Sequence, residues 1–304
     1  MSSKKPLRIL LTGGSGDLGS LLSLSLLQQG DVPVVIDMAT PKVAGVGFFQ
    51  GSILDRDLLK MAMKDIDCVI HIAAWHGIHE GGKTPAEFHD LNVTGTFNVF
   101  EAAAAEGVKK FIFISSTSVD DQYGIYGHTK ILGEEMARAY AHRHDMDVIT
   151  LRPRAFIPSW NRTVYANFIE WAKWFAKGAV HISDVEQSAL CALDFLRTGK
   201  KTPEKAQCFT VDGAYDFTAE DLKNWDKDTL MKYYPEFYDL FIKYGFDPAR
   251  KPKVLDITDT KKILGYAPKY SLRNMLEELK TFGADGPPSP FEGKKKASPS
   301  QPKI

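Results

Sequence analysis

The sequence has few cysteines, no net charge and no long uncharged run near its N-terminus. Its three cysteines lie far apart among 304 residues, which favours buried reduced thiols and offers no metal-ligand spacing. The 38 basic and 38 acidic residues cancel, so no net charge attracts nucleic acid or anionic lipid. The longest uncharged run near the N-terminus, 18–30, is shorter than the roughly 18 to 20 residues of a bilayer span. We therefore expect no metal, nucleic-acid or membrane partner, and a cytoplasmic location.

A glycine-rich stretch near the N-terminus is the strongest local pattern. An apolar run gives way to Gly13, Gly16 and Gly19, and a helix-forming segment follows. Strand, glycine turn and helix begin a dinucleotide-binding βαβ unit, in which an anion lies at the helix N-terminus. The first glycine permits the sharp turn, the second keeps side chains away from a pyrophosphate, and the third lets the helix lie close to the sheet.

Asp37 ends the next apolar strand, eighteen positions after Gly19. An acidic residue at this place accepts hydrogen bonds from the adenosine ribose hydroxyls. It would repel a 2′-phosphate, and the following Met38 supplies no positive charge to neutralise one. The sequence therefore predicts NAD, and not NADP, as the cofactor.

Strands alternate with helices through the first half of the chain. The pattern predicts strands near 7–11, 34–37, 48–51, 67–73, 110–115 and 148–151, and helices near 18–30, 55–63, 85–106 and 126–144. This alternation predicts an α/β fold, a Rossmann-type doubly wound parallel sheet with a small, mostly helical C-terminal substrate lobe. We divide the chain into an NAD-binding domain (1–155, with 178–212), the lobe (156–177 and 213–282) and a disordered tail (283–304) rich in Pro, Ser and Lys.

Tyr126 and Lys130 stand four residues apart on a predicted helix, so both side chains project from one face. The helix follows the strand at 110–115, whose carboxyl end faces the cleft of a doubly wound sheet. A nearby ammonium favours the phenolate and lowers the pKa of a tyrosine, which makes Tyr126 a candidate general base. Tyr123 has a glycine four residues on and lacks this partner.

Several short motifs together resemble the extended short-chain dehydrogenase/reductase family, and its NAD-dependent epimerase/dehydratase branch above all. They are TGGSGDLG at 12–19, Asp37, HIAA at 71–74, Asn92 in LNVTGT, ISST at 114–117, YGHTK at 126–130 and LRP at 151–153. The resemblance covers residues 7 to 280 or so. It implies a catalytic Tyr126, a Lys130 that also holds the nicotinamide ribose, and a hydroxyl that hydrogen-bonds the reacting alcohol. We expect Thr117 to supply this hydroxyl, with Ser116 as the alternative.

The resemblance also implies a set of NAD-binding residues and a homodimer. The expected NAD-binding residues are Gly13, Ser15, Gly16, Asp17, Leu18, Gly19, Asp37, Ser52, Ile53, Ala73, Ala74, Asn92, Ser115, Tyr126, Lys130 and Pro153. Asn92 would at the same time bridge helix and sheet. The dimer would form through a four-helix bundle of the helices near 86–106 and 126–144.

Four residues are candidates for the substrate site. Trp75 and His76 follow the fourth strand, and either they line a sugar site or they are surface loop residues. Arg154 and Arg162 are candidates to clamp a carboxylate or phosphate, or else to serve as structural ion-pair partners. We favour Arg162 as the anion clamp, because it lies farther out, at the start of the lobe.

Two departures from the family pattern leave open whether the substrate carries a nucleotide. Only nine positions separate Thr117 from Tyr126, where relatives have about two dozen more residues. Ala155 stands where many nucleotide-sugar epimerases carry an asparagine that holds the substrate's phosphate. Both differences fall on the predicted substrate side of the cleft.

The sequence thus predicts an NAD-dependent enzyme of sugar metabolism, an isomerase or oxidoreductase. It would take hydride from a secondary alcohol of a sugar or sugar nucleotide in an epimerase/dehydratase-type reaction. One alternative is a net dehydrogenase of a free uronate or aldose. A further alternative is a non-catalytic NAD-sensing protein.

Overall fold

A parallel sheet of seven strands lies at the centre of the computed structural model, which describes residues 5–121 and 124–293. The strands are β1 (Arg8–Thr12), β2 (Val32–Asp37), β3 (Gly47–Gln50), β4 (Cys68–His71), β5 (Lys110–Ile114), β6 (Asp147–Pro153) and β7 (Ala206–Val211). Their order is β3-β2-β1-β4-β5-β6-β7, so the direction of winding reverses between β1 and β4. The predicted doubly wound parallel sheet is confirmed.

Helices cover both faces of this sheet. In chain order they are α1 (Asp17–Gln28), α2 (Arg56–Met63), α3 (Pro85–His89), α4 (Thr96–Ala105), α5 (Ile125–His144), α6 (Phe168–Phe175) and α7 (Ile182–Arg197). Leucines and valines of α1 and α7 pack on one face, and apolar residues of α2, α4 and α5 pack on the other. Because the central strands are buried on both sides, they are almost continuously apolar.

The helix predicted as one piece at 85–106 contains a wider turn. A π-helical segment, Asp90–Gly95, joins α3 to α4. Such turns interrupt an α-helix and are frequent at functional sites. In this one Asn92 is buried, with its amide hydrogen-bonded to the backbone of Trp75 beyond β4.

The C-terminal lobe has its own apolar core. The helices of the lobe are α6, α8 (Ala219–Lys223), α9 (Thr229–Tyr233), α10 (Tyr238–Tyr244), α11 (Thr258–Leu264) and α12 (Leu272–Phe282). Trp171, Tyr234 and Met275 are almost fully buried in this core. Asp184 of α7 accepts backbone hydrogen bonds from Lys269 and Tyr270, which ties the lobe to the sheet domain.

The segment expected to begin a disordered tail packs on the protein over its described part, up to residue 293. The Phe168 N–H donates to the carbonyl of Ala284, and the ring of Phe291 lies edge-on to Trp160 at 6.2 Å. Hydrogen bonds to the backbone carbonyls of Ala284 and Asp285 and the ring of Phe291 thus hold a stretch whose composition favours disorder. Residues 294–304 lie outside the described residues, and the domain division stays a prediction.

Within the described residues, no helix has the length and apolarity to cross a bilayer.

Candidate active site

A cavity of about 940 Å³ lies at the carboxyl ends of the strands, where the sheet reverses its winding. Ligands of doubly wound sheets bind at this place, and the volume is at the upper end of the roughly 300 to 1,000 Å³ of small-molecule sites. The predicted site residues that line it are Gly13, Gly16, Asp17, Leu18, Gly19, Asp37, Ser52, Ile53, Ala73, Ala74, Trp75, His76, Ser116, Thr117, Tyr126, Pro153 and Arg154. Five others, Ser15, Asn92, Ser115, Lys130 and Arg162, do not line it.

The glycine loop has no room for side chains at two positions. Gly13 has φ +68°, and a Cβ there would lie 2.9 Å from the Cα and N of Ala73. A Cβ on Gly19 would lie 2.5 Å from the Cα of Gly14, so the third glycine lets α1 close on the loop itself and not, as predicted, on the sheet. Gly16 is the N-cap of α1 and has no side chain to cap its N–H groups. This cradle fits the pyrophosphate of a dinucleotide.

The carboxylate of Asp37 is held at the edge of the cavity by backbone donors. Its Oδ2 accepts from Ser15 N at 3.0 Å and its Oδ1 from Ala39 N at 2.9 Å. The hydroxyl of Ser15 donates to the Ala39 carbonyl, so Ser15, expected to contact NAD, ties the glycine loop to the end of β2. Asp37 is therefore oriented before any ligand binds.

The hydroxyl of Ser116 lies near that of Tyr126 and acts to lower the tyrosine pKa, against the larger effect of burial. Ser116 and Thr117 both line the cavity, but Ser116 is the one that acts on the tyrosine. Ser116 Oγ also lies 3.0 Å from Ser118 Oγ and accepts from Ser118 N. Ser118, a further cavity residue, was not predicted, although the run SSTS offers a third hydroxyl.

Lys130 is buried behind Tyr126. Its Nζ donates to the Ile114 carbonyl at 2.8 Å and lies 5.8 Å from the centre of the Tyr126 ring. Burial lowers the pKa of Lys130 to about 7 and raises the pKa of Tyr126 to about 12. The predicted lowering of the tyrosine pKa is therefore not found, because desolvation dominates and the ammonium is directed at a carbonyl.

A buried carboxylate lies one turn beyond Lys130 on α5. Glu134 Oε1 accepts from Ser115 Oγ at 2.6 Å and from Arg152 Nε at 2.8 Å, and Oε2 accepts from Arg152 Nη2 at 2.5 Å. Ser115, expected to contact NAD, is thus engaged by Glu134. The same carboxylate raises the pKa of Lys130 against the effect of burial. The predictions missed Glu134, although Tyr126, Lys130 and Glu134 recur at a spacing of four residues.

Asn92 holds the loop after β4 in place. Its Oδ1 accepts from Trp75 N at 2.7 Å, and its Nδ2 donates to Trp75 O at 2.9 Å and to Thr129 Oγ1 at 3.0 Å. It therefore bridges α5 and the end of the sheet, and acts on the cavity through Trp75.

Aromatic rings cover much of the side of the cavity beyond Tyr126. The rings of His76 and Tyr126 are 6.0 Å apart, and those of Trp75 and His79 are 5.1 Å apart. Burial, helped by the charge of Lys130, lowers the pKa of His76 to about 3, so this imidazole is neutral near pH 7.

Of the two candidate arginines only Arg154 lines the cavity, and its Nη1 is engaged by other groups of the protein. Arg154 lines it, but its Nη1 lies 3.5 Å from Asp212 Oδ2 and 3.4 Å from the Tyr215 hydroxyl, and donates to the carbonyl of Lys253. Arg162 is exposed, lies outside the cavity and donates to the carbonyl of Asp285. The position of Arg162 contradicts its predicted role as an anion clamp.

Comparison with known proteins identifies the family. The profile of the NAD dependent epimerase/dehydratase family matches residues 9–172, more than half of the chain. The chain belongs to this family. Membership confirms the resemblance to extended short-chain dehydrogenase/reductases, the prediction of an enzyme and the predicted cofactor, NAD.

Similar members of the epimerase/dehydratase family include sugar-nucleotide epimerases. A UDP-glucose 4-epimerase of Vibrio cholerae is 28% identical over 314 residues, covering 90% of this chain and 95% of that protein. One from Erwinia amylovora is 33% identical over 177 residues, and the match spans about half of each protein, 47% of this chain and 52% of the relative. The structure of a UDP-glucuronic acid 4-epimerase from Bacillus cereus has the same fold, with a TM-score of 0.66 at 22% identity over 89% of this chain and 97% of that one.

Proposed function

We propose that this protein catalyses NAD-dependent hydride transfer at a secondary alcohol of a sugar or sugar-nucleotide substrate, by epimerase/dehydratase-type chemistry. The observation that carries the proposal is that one cavity joins the glycine loop, Asp37 and the hydroxyl-bearing side chains of Ser116 and Tyr126. A dinucleotide cradle and a proton-transfer group beside each other are what this reaction requires.

The cofactor end of the cavity is formed by residues of the first half of the sheet. The glycine loop would hold the pyrophosphate, Asp37 the adenosine ribose, and Ser52 and Ile53 the adenine. Ala73, Ala74 and Pro153 line the cavity between the proposed adenosine site and Tyr126. When bound, NAD supplies the acceptor for the hydride that leaves the substrate carbon.

Tyr126 is the proposed general base, and Ser116 the residue that orients the substrate alcohol. The Ser116 hydroxyl already lies near the Tyr126 hydroxyl, so an alcohol oxygen that hydrogen-bonds both lies where its proton can pass to Tyr126. Lys130, whose Nζ lies 5.8 Å from the centre of the Tyr126 ring, is the proposed counter-charge for a tyrosinate. In the structure, burial and not this ammonium dominates the tyrosine pKa. Thr117 also lines the cavity and is the second candidate for the hydroxyl that orients the substrate alcohol.

The experiment is to incubate the protein with NAD and a panel of free sugars, sugar acids and sugar nucleotides while following absorbance at the NADH band. Stereochemical change without net NADH indicates an epimerase, and sustained NADH formation indicates the alternative, a net dehydrogenase. Tight NAD binding with neither change in any member of the panel would contradict the proposal and favour an NAD-sensing protein.

We also propose that the protein is a cytoplasmic homodimer that associates through α4 and α5. Phe97 of α4 is 37% exposed and lies beside Tyr140 of α5, which leaves an aromatic surface on this helix pair. Ala103, Ala137 and Ala141, whose small size suits close helix approach, are buried inside the protomer and let α4 and α5 pack together. Light scattering that gives a monomer at micromolar concentration would contradict the dimer.

A further inference from the structure

We infer that the substrate half of the cavity takes an uncharged substrate with an apolar face, such as a neutral free sugar or its glycoside, and excludes a nucleotide diphosphate. The inference rests on the proposed function and narrows its substrate class. We define the substrate half by the lining residues beyond Tyr126: Trp75, His76, Ile78, His79, Ser118, Ala155, Phe156, Ile157, Pro158, Asn161, Val164, Tyr165 and Trp174.

The first argument is the absence of a free positive charge. Among the described residues that line the cavity, Arg154 carries the one side chain that is cationic at all physiological pH values. Its side chain is only 11% exposed, and it faces the carboxylate of Asp212, which is 1% exposed. A diphosphate in this half would therefore have to compete with Asp212 and the Lys253 carbonyl for this guanidinium, because the described cavity lining offers no second arginine or lysine.

Other cationic groups near the substrate half are also engaged. Lys83 Nζ lies 4.6 Å from the centre of the Trp75 ring, but it pairs with Glu87 at 2.7 Å and does not line the cavity. His79 Nδ1 accepts a hydrogen bond from His76 N at 3.0 Å, so this nitrogen is already engaged within the protein. Both groups are therefore poor partners for a phosphate.

A helix N-terminus can hold a phosphate without a cation, and α7 begins at the cavity with Ile182. Here the capping place is taken. His181 Nδ1 accepts from Ser183 N, and the carboxylate of Asp184 lies in the first turn. The N-terminus of α7 therefore binds an anion more weakly than the N-terminus of an uncapped helix would.

The second argument is the surface that is present. Tyr165 and Trp174 stand with ring centres 5.2 Å apart in the wall of this half, and Trp75 lies in the loop after β4. Aromatic faces favour the C–H face of a sugar ring or an apolar aglycone. Ser118 and the neutral His76 supply hydrogen bonds that carry no charge.

The third argument is room. The whole cavity has about 940 Å³, and the dinucleotide cofactor must take a large part of it. Small-molecule pockets have roughly 300 to 1,000 Å³. Beside the cofactor, a monosaccharide requires much less of the remaining volume than a second nucleotide does.

The test is calorimetric titration of the NAD-loaded protein with UDP, UDP-galactose, galactose and phenyl β-galactoside, with turnover of the last three measured in parallel. We expect no binding of UDP at 1 mM, and kcat/KM for galactose or its phenyl glycoside at least tenfold above that of UDP-galactose. A Kd for UDP below about 100 µM, or a preference for UDP-galactose, overturns the inference and leaves the proposed function standing. If no compound reacts, the proposed function fails, and the UDP titration still decides the inference.

A gain-of-charge variant tests the electrostatic argument directly. Ala155 is exposed within the cavity, so Ala155→Arg places a free guanidinium there, and Ala166→Arg, exposed outside the cavity, is the control. We expect Ala155→Arg to bind UDP at least tenfold more tightly than the wild type, and Ala166→Arg to bind it no better. Equal affinities in all three proteins would refute the argument from missing charge.

Discussion

The network behind the proposed base allows one prediction to be worked out in detail. In Glu134→Gln the side chain keeps its size, but one carboxylate oxygen becomes an amide nitrogen. In the wild type Glu134 accepts four hydrogen bonds, from the hydroxyl of Ser115, from two nitrogens of Arg152 and, at 3.8 Å, from the thiol of Cys208. In the variant an N–H₂ group faces an N–H donor, and the guanidinium loses its counter-charge.

The expected loss of stability follows from burial. Removing one partner of a buried ion pair costs about 3–5 kcal/mol, because the other charge is left uncompensated. The Glu134 side chain is 3% exposed but that of Arg152 is 32% exposed, so water can solvate part of the guanidinium. We therefore expect a loss of about 2–3 kcal/mol in the free energy of unfolding. With an unfolding entropy of about 2.1 cal/mol/K per residue over 304 residues, the melting temperature falls by about 3–5 °C.

The matched control is Glu135→Gln, one position along the same helix. Glu135 pairs with Arg138 on the surface, with side chains 62% and 42% exposed, and such pairs contribute about 0–1 kcal/mol. Thermal unfolding of the three proteins, followed by circular dichroism, is the assay. If Glu134→Gln melts within 1 °C of Glu135→Gln, the network does not hold α5 against β6 as the structure indicates.

Lys130 makes stability depend on pH in a defined direction. Burial lowers its pKa from 10.5 to about 7, so between these values the unfolded chain binds more protons than the native protein. Stability therefore rises as the pH increases from about 7 toward 10.5. Urea unfolding at pH 7, 8 and 9 measures this rise, which we expect to be smaller in Lys130→Met. An unchanged slope in Lys130→Met would show that other groups produce it.

Further variants test the cofactor cradle and the base. Tyr126→Phe should lower turnover by about a hundredfold to ten-thousandfold with NAD affinity nearly intact, whereas Tyr123→Phe, at a position outside the described residues, should keep activity; the reverse result would assign the base to the other tyrosine. Asp37→Ala should narrow the preference for NAD over NADP in calorimetry, and weaker binding of NAD than of NADP by the wild type would contradict the role of Asp37. Gly19→Ala should weaken NAD binding at least tenfold, because the new Cβ meets Gly14 Cα at 2.5 Å; Gly81→Ala, whose Cβ would have no heavy atom within 4 Å, is the control.

Features that depend on local periodicity could be predicted from the sequence. A buried strand, a glycine turn and a helix follow one another within residues 8–28, so β1, the loop and α1 were predictable from neighbouring residues. The spacing of Tyr126 and Lys130 on one helix is equally local. The hydroxyl that acts on Tyr126 was not predictable, because the backbone turn after β5 decides whether Ser116 or Thr117 faces the ring.

The state of the tyrosine could not be predicted from spacing either. Four residues along a helix bring an ammonium near a phenol, but the pKa of the phenol depends on how deeply both groups are buried and where the ammonium points. Here Lys130 Nζ donates to the Ile114 carbonyl on β5, a strand that the helix reaches only in the folded chain. The spacing therefore identifies the pair, and the tertiary packing decides its proton affinity.

Whether a cation beside a cleft is free for a ligand depends on partners that are distant in sequence. Arg154 follows β6 directly, and the sequence places its guanidinium at the mouth of the site. Asp212, 58 positions later, and the carbonyl of Lys253, 99 positions later, reach it only because β7 lies beside β6 and the lobe folds back over the sheet edge. Arg154 thus helps to join the two parts of the molecule. For the same reason its Nη1 is engaged away from a substrate, and the inferred preference for an uncharged substrate depends on this packing of the lobe on the sheet.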